Sequence, residues 1–119
     1  MDTSVWVDHL RSSDAKLVDL LEASAVIVHP FVVGELALGN LRNREMIIDA
    51  MNAMPRSPVA SAEEILAFIA ANELAGSGIG LVDAHLLASV RLSAGSRLWT
   101  RDKRLRAAGA RTSLAADLD

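Results

Sequence analysis

Apolar side chains recur at helical spacing along most of this chain. Residues 14–23 place their apolar positions on one helical face: Leu17, Val18, Leu20 and Leu21. The same periodicity predicts helices over 31–38, 44–54, 62–75, 81–94 and 102–108. Ser61 followed by Glu64 forms a capping box that opens the helix at 62, and Gly109 is expected to end the helix before it.

Short apolar runs between these helices predict strands. The β-branched run 26–28 indicates a buried strand, 97–100 indicates a second, and 111–114 a weak last one. Because strands and helices alternate, we expect an α/β fold with a central parallel sheet. No repeat or linker divides the chain, so residues 1–119 are predicted to form one domain.

Composition excludes several classes of protein. Hydrophobic residues make up 51% of the chain, enough for a sizeable core. Aromatic residues make up only 3%, which disfavours modules that stack bases on rows of rings. The absence of cysteine removes disulfides, cysteine-bound metals and a thiol nucleophile. Without a basic leader or a membrane-length apolar run, the sequence predicts a soluble cytoplasmic protein with no membrane contact.

Four acidic residues occupy positions that suit a ligand site. Glu35 and Asp102 follow predicted strands, and the carboxyl ends of parallel strands are where ligands bind in open sheets. Asp83 opens an apolar helix, and Asp2 precedes the apolar run 5–7. If these carboxylates converge, their repulsion calls for a cation, and oxygen ligands suit Mg²⁺ or Mn²⁺. The alternative is that each is a surface acid stabilised by a helix dipole.

Other features admit a catalytic and a structural interpretation. His9, His29 and His85 could serve as acid and base in a metal-free hydrolysis, but packing roles are favoured because none are close in sequence. The glycine-rich segment 76–80 lacks the third glycine and the preceding strand of a dinucleotide-binding loop. For Asp8 we predict a surface salt bridge.

Positive charge is concentrated near the carboxyl end. Residues 1–90 carry 5 basic and 12 acidic side chains, whereas residues 91–111 carry 7 basic side chains and one acid. Such a run is usually a solvated face, yet this one surrounds Asp102, where cations would attract a polyanion. Arg101, Lys103 and Arg104 are therefore candidates for binding the phosphates of such a polyanion.

Four blocks of sequence, in order, resemble one known family. They are residues 2–11 (DTSVWVDHLR), 33–36 (VGEL), 80–88 (GLVDAHLLA) and 98–105 (LWTRDKRL). Together they resemble the PIN-domain ribonucleases, and specifically the VapC-type toxins of toxin-antitoxin pairs. The resemblance covers almost the whole chain.

The resemblance implies a site and a fold. Asp2, Glu35, Asp83 and Asp102 match the acidic quartet that binds Mg²⁺ or Mn²⁺ and supports catalysis. Ser4 and Thr100 match hydroxyl positions beside that quartet. The implied fold is a PIN-like α/β/α sandwich whose first strand is truncated here, since only Met1 precedes Asp2.

The implied activity is Mg²⁺-dependent endoribonucleolytic hydrolysis of RNA by a toxin that a VapB-type antitoxin inhibits. A homodimer is also expected. The alternative is a PIN-fold module that binds RNA or protein without cleaving it.

Overall fold

The computed structural model describes residues 1–118, so the last position of the predicted domain, Asp119, lies outside it. These residues form seven helices: α1 (Thr3–Arg11), α2 (Ala15–Glu22), α3 (Pro30–Leu38), α4 (Arg44–Asn52), α5 (Ala62–Ala71), α6 (Leu81–Leu92) and α7 (Lys103–Arg111). Every predicted helix is present, with α4, α5 and α6 ending two to four residues early.

Side-chain caps set where several helices begin. Asp14 accepts a hydrogen bond from the Leu17 amide at the start of α2, and Asp102 does the same for Leu105 at the start of α7. The predicted capping box of α5 is confirmed, because Ser61 and Glu64 exchange side-chain-to-backbone hydrogen bonds. These local interactions were readable from the sequence because each spans only three residues.

The prediction that Gly109 ends a helix was wrong. Helix α7 continues through it to Arg111, and Gly109 is buried against Ala115. A Cβ at this position would lie 3.2 Å from the Ala115 Cβ. The glycine therefore serves close packing between α7 and the segment that follows it.

The structure provides only part of the predicted sheet. Within residues 1–118 the β pairing consists of two isolated parallel bridges, Val28 with Arg56 and Leu98 with Ala115. The predicted strands 26–28 and 97–100 each supply one bridge residue. The predicted last strand, 111–114, was misplaced, because Arg111 belongs to α7 and the bridge forms at Ala115.

A cavity of about 340 Å³ touches both bridge segments. It is lined by Val26 and Ile27 on one segment and by Leu98 and Trp99 on the other. The Asp2 amide donates a 2.9 Å hydrogen bond to the Trp99 carbonyl at the second segment. The parallel pairing is thus confirmed locally, whereas a continuous central sheet is not present in the described residues.

Helix α6 runs through the core. Its residues 84–89 are all buried, and Leu87 is completely inaccessible to solvent. Val5 of α1, Val32 of α3 and Leu105 of α7 belong to the core that includes Leu87. Asp83 opens the helix at the edge of this core, which restricts its access to water. In the part of the chain that the structure describes, every helix is too short or too polar to cross a membrane.

Candidate metal centre

Asp2 is the most firmly held of the four candidate acids. Its Oδ2 atom accepts hydrogen bonds of 2.7 Å from the hydroxyls of both Ser4 and Thr100. Asp2 itself is only 5% exposed, so these bonds replace water that burial has removed. The side chain is thereby fixed through Oδ2, while Oδ1 receives no hydrogen bond from residues 1–118.

The two hydroxyls also connect Asp2 to the segment that carries Asp102. The Ser4 Oγ atom accepts the Arg101 amide at 3.0 Å, and the Thr100 Oγ1 atom accepts the Asp102 amide at 3.0 Å. Each hydroxyl therefore donates to Asp2 and accepts from the backbone. The structure thus places Ser4 and Thr100 beside Asp2, one of the four candidate acids.

Asp102 and Glu35 each use one carboxylate oxygen within the protein. Asp102 Oδ1 caps α7 by accepting the Leu105 amide at 3.0 Å. Glu35, on α3, accepts a 2.7 Å hydrogen bond from the Thr3 hydroxyl at its Oε1 atom. Both residues are otherwise exposed, so the second oxygen of each is open to a ligand. Sequence reasoning missed Thr3, whose only signal is its position next to Asp2.

Asp83 shows that the four acids act on one another. Burial and, to a lesser extent, the negative charges of Asp2, Asp102 and Glu35 together raise the pKa of its carboxyl group to about 6. A hydrogen bond from the Gly80 backbone opposes this shift. Burial and three negative neighbours disfavour the charged form of Asp83. A nearby cation would stabilise that charged form.

The donor set suits a hard divalent cation, but the carboxylates are not gathered as closely as ligands of one ion. Within residues 1–118 no group of three or more acidic or histidine side chains meets the spacing of a formed metal site. Oxygen-only ligation suits Mg²⁺ or Mn²⁺.

Arg101 is engaged in ion pairs. Its guanidinium contacts Asp8 at 2.8 Å and Asp14 at 2.5 Å, and it lies 5.3 Å from the centre of the Trp99 ring. The predicted salt bridge of Asp8 is confirmed. The hydrogen bond from Arg101 also lowers the pKa of Asp14 below its ordinary value. Sequence reasoning identified Asp14 only as a helix start and missed this second role.

Lys103 and Arg104 differ from Arg101. Both are exposed on the first turn of α7, and neither forms an ion pair with any residue among 1–118. They directly follow Asp102, so positive charge lies at the rim of the acidic group. This arrangement is compatible with attraction of a polyanion to an anionic centre.

The histidines lie in packed surroundings. His29 is 2% exposed and His85 is 7% exposed, and their ring centres are 6.4 Å apart. Burial lowers the pKa of His29 to about 4, with a smaller contribution from His85. His9 accepts the Asp14 amide at its Nδ1 atom. These placements favour the packing interpretation over acid-base catalysis.

Comparison with known proteins adds an independent observation. Residues 1–110 match the model of the PIN domain family. The chain is 47% identical over 115 residues to the protein named Ribonuclease VapC32 from Mycobacterium tuberculosis, in strain CDC 1551 / Oshkosh and in strain ATCC 25618 / H37Rv. Each match covers 97% of this chain and 93% of the relative. No solved structure matches the chain significantly.

Proposed function

This chain belongs to the PIN-domain family and is of VapC type, and we propose that it is a divalent-metal-dependent endoribonuclease that acts as a toxin. The observation that supports metal dependence is the electrostatic convergence on Asp83. Burial raises the pKa of this acid, and the negative charges of three further carboxylates add to the rise. Such repulsion is relieved when a cation binds between the charges.

Asp2, Glu35, Asp83 and Asp102 would hold Mg²⁺ or Mn²⁺. When bound, the cation supplies positive charge to the scissile phosphate and lowers the pKa of water, which favours hydrolysis of the phosphodiester.

The protein's own side chains position these ligands. The hydroxyls of Ser4 and Thr100 direct the Asp2 carboxylate, and the Thr3 hydroxyl holds Glu35 at the amino-terminal end of α1. Lys103 and Arg104 offer unpaired positive charge to the RNA backbone. Arg101 remains part of the proposed RNA-binding set, although its ion pairs with Asp8 and Asp14 reduce the charge it can offer.

A VapB-type antitoxin is the proposed inhibitor. Leu38 on α3 is 91% exposed and Met46 on α4 is 64% exposed, and these two helices pack on each other. A short amphipathic segment could cover such apolar side chains while an attached basic residue reaches the acids. Homodimerisation and a cytoplasmic location stay predictions.

The test is RNA cleavage by purified protein with Mg²⁺, with Mn²⁺ and with EDTA. We expect cleavage only with a divalent cation, and loss of cleavage in Asp83→Asn and Asp102→Asn. Asp117→Asn is the matched control, because Asp117 is an exposed acid outside the four family-like blocks. Calorimetric titration of Mn²⁺ should show weaker binding in the first two variants only.

The outcomes separate the alternatives. Cleavage that persists in EDTA would favour a histidine-based nuclease over the proposed one. RNA binding with no cleavage under any condition would favour the binding module. Cleavage by Asp83→Asn and Asp102→Asn at the wild-type rate would contradict the assignment of the acids.

A further inference from the structure

A second concave surface lies along α7, the helix that begins directly after Asp102. We call it the basic cleft: a cavity of about 360 Å³ lined by Ser77, Lys103, Arg104, Ala107, Ala108 and Arg111. It is bounded by the glycine-rich segment 76–80 and by one face of α7. All of its charged lining residues are positive.

These cations have no acidic partner within the described residues 1–118. Lys103 and Arg104 form neither ion pairs nor side-chain hydrogen bonds there. Arg111 donates to the backbone carbonyls of Asn72 and Glu73, each at 3.3 Å, which fixes its side chain but leaves its charge uncompensated. A concave surface with three uncompensated cations concentrates positive potential and attracts anions.

The Ser77 hydroxyl adds a polar group that lacks a partner. Its Oγ atom is buried and forms no hydrogen bond within the part of the chain that the structure describes. Buried hydroxyls are nearly always hydrogen-bonded, so this one is a candidate donor to a group that enters the cavity. A hydroxyl can donate to a phosphate oxygen.

Gly78 makes room for Arg104. Its φ of +86° is a backbone conformation that favours glycine, and a Cβ there would lie 3.1 Å from Arg104 Cδ and 3.2 Å from one of its guanidinium nitrogens. The guanidinium therefore rests against the loop backbone beside Ser77. The glycine-rich segment 76–80, which does not match a dinucleotide-binding loop, here positions the Arg104 side chain.

We propose that the basic cleft binds a backbone phosphate of the RNA substrate, separate from the phosphate that is cleaved. Two chain segments connect the cleft to the acidic residues. Lys103 directly follows Asp102, and Gly80, at the end of the loop, caps the helix that begins with Asp83 in its first turn. An RNA strand that crosses the metal centre would thus place a neighbouring phosphate over α7.

Guanidinium groups suit this task because they donate two parallel hydrogen bonds to phosphate oxygens. Arg104 and Arg111 would supply these bonds, Lys103 a point charge, and Ser77 a neutral donor. The inference rests on the proposed function for the identity of the ligand, since a phosphate-binding cleft alone would not distinguish RNA from a smaller phosphate compound.

The test measures binding of a labelled single-stranded RNA in EDTA as salt is varied, using the full chain. Each phosphate contact contributes about 0.7 to the slope of log affinity against log salt for single strands. We expect Arg104→Gln, Arg111→Gln and Lys103→Gln each to flatten the slope by at most that amount, because all three side chains face the same phosphate. Arg42→Gln is the control, because Arg42 is an exposed arginine outside the cleft, and it should leave the slope unchanged.

Ser77→Ala provides a second, uncharged test. It should weaken RNA binding about three- to tenfold, the effect of one lost hydrogen bond, and leave the salt slope unchanged. Thermal melting checks that each variant is folded, and Ser77→Ala is expected to melt no lower than the wild type because its hydroxyl has no hydrogen-bond partner among residues 1–118. Unchanged affinity in Ser77→Ala would overturn its assignment as a ligand.

Separate measurement of cleavage distinguishes the two proposals. Suppose that the wild type cleaves RNA but that all three charge variants show the same salt dependence of RNA binding as the control Arg42→Gln. The basic cleft is then not a phosphate site, and the proposed function stands. If the wild type binds RNA with a slope that these variants flatten but never cleaves it, the cleft stands and the proposed function falls. Inorganic phosphate that displaces RNA at equal phosphate concentration would overturn RNA as the ligand.

Discussion

The Thr100 hydroxyl donates a 2.7 Å hydrogen bond to the carboxylate of Asp2, 98 residues away in sequence. The same oxygen accepts the Asp102 amide, so a single hydroxyl orients two of the four candidate metal ligands. Thr100 is 3% exposed, and no water can replace it readily. This contact explains why a residue without charge matters to an acidic site.

We therefore expect Thr100→Val to impair the site while Thr100→Ser preserves it. Valine has nearly the same shape but leaves Asp2 Oδ2 one donor short and the Asp102 amide unpaired. Loss of a residue that orients metal ligands typically reduces metal affinity or activity about 10–100-fold. Mn²⁺ titration and RNA cleavage measure the effect, and equal behaviour of the two variants would show that the hydroxyl is not needed.

Asp83→Asn should stabilise the metal-free protein at neutral pH. Because the folded-state pKa of Asp83 is raised to about 6 from its ordinary value of 3.8, ionisation destabilises the native state as pH rises through this window. The amide removes that penalty, by about 1–2 kcal/mol after allowance for solvent screening. Thermal melting in EDTA checks it.

The gain should disappear near pH 4, where the wild-type carboxyl group is protonated in the folded protein. It should also shrink or reverse when Mg²⁺ is added, since only the wild type retains the full set of carboxylates. A gain that is independent of pH would mean that the raised pKa of Asp83 is not its source.

Arg101→Ala and Arg104→Ala should differ in their effects. Both are expected to weaken RNA binding, but the charge of Arg101 is already balanced by Asp8 and Asp14, so its removal should flatten the salt slope less. Arg101→Ala should also lower stability by about 1 kcal/mol through loss of the ion pairs, whereas Arg104→Ala should not. Salt-dependent binding and urea unfolding of both variants provide the comparison.

The exposed apolar residues of α3 and α4 should be required for inhibition. If a small antitoxin encoded beside this protein binds there, Leu38→Asp should weaken co-purification and restore RNA cleavage in its presence. Leu66→Asp is the control, because Leu66 is 68% exposed on α5. The partner should also compete with Mn²⁺. Failure of any small neighbouring protein to co-purify or inhibit would place this chain outside toxin-antitoxin pairs.

The sequence by itself determined six of the seven helices, all but α1, and the candidate chemistry. Helix caps link residues that are three positions apart, as at Asp14 and Asp102. Apolar periodicity, as in residues 81–92, likewise relates positions three or four apart, so both signals predict helices from the sequence alone. The four acids were identified by family-like blocks, and the structure puts them close enough that three of them raise the pKa of the fourth.

Only the tertiary structure decided how these elements meet. The pairing of Arg101 with Asp8 and Asp14 joins positions 93 and 87 residues apart, and no local pattern distinguishes this arginine from Arg104. The extent of the sheet was equally unreadable, since a strand forms only where a neighbour supplies backbone hydrogen bonds. In residues 1–118 that pairing is limited to Val28 with Arg56 and Leu98 with Ala115, and in each case the partner lies 17 or more residues away along the chain.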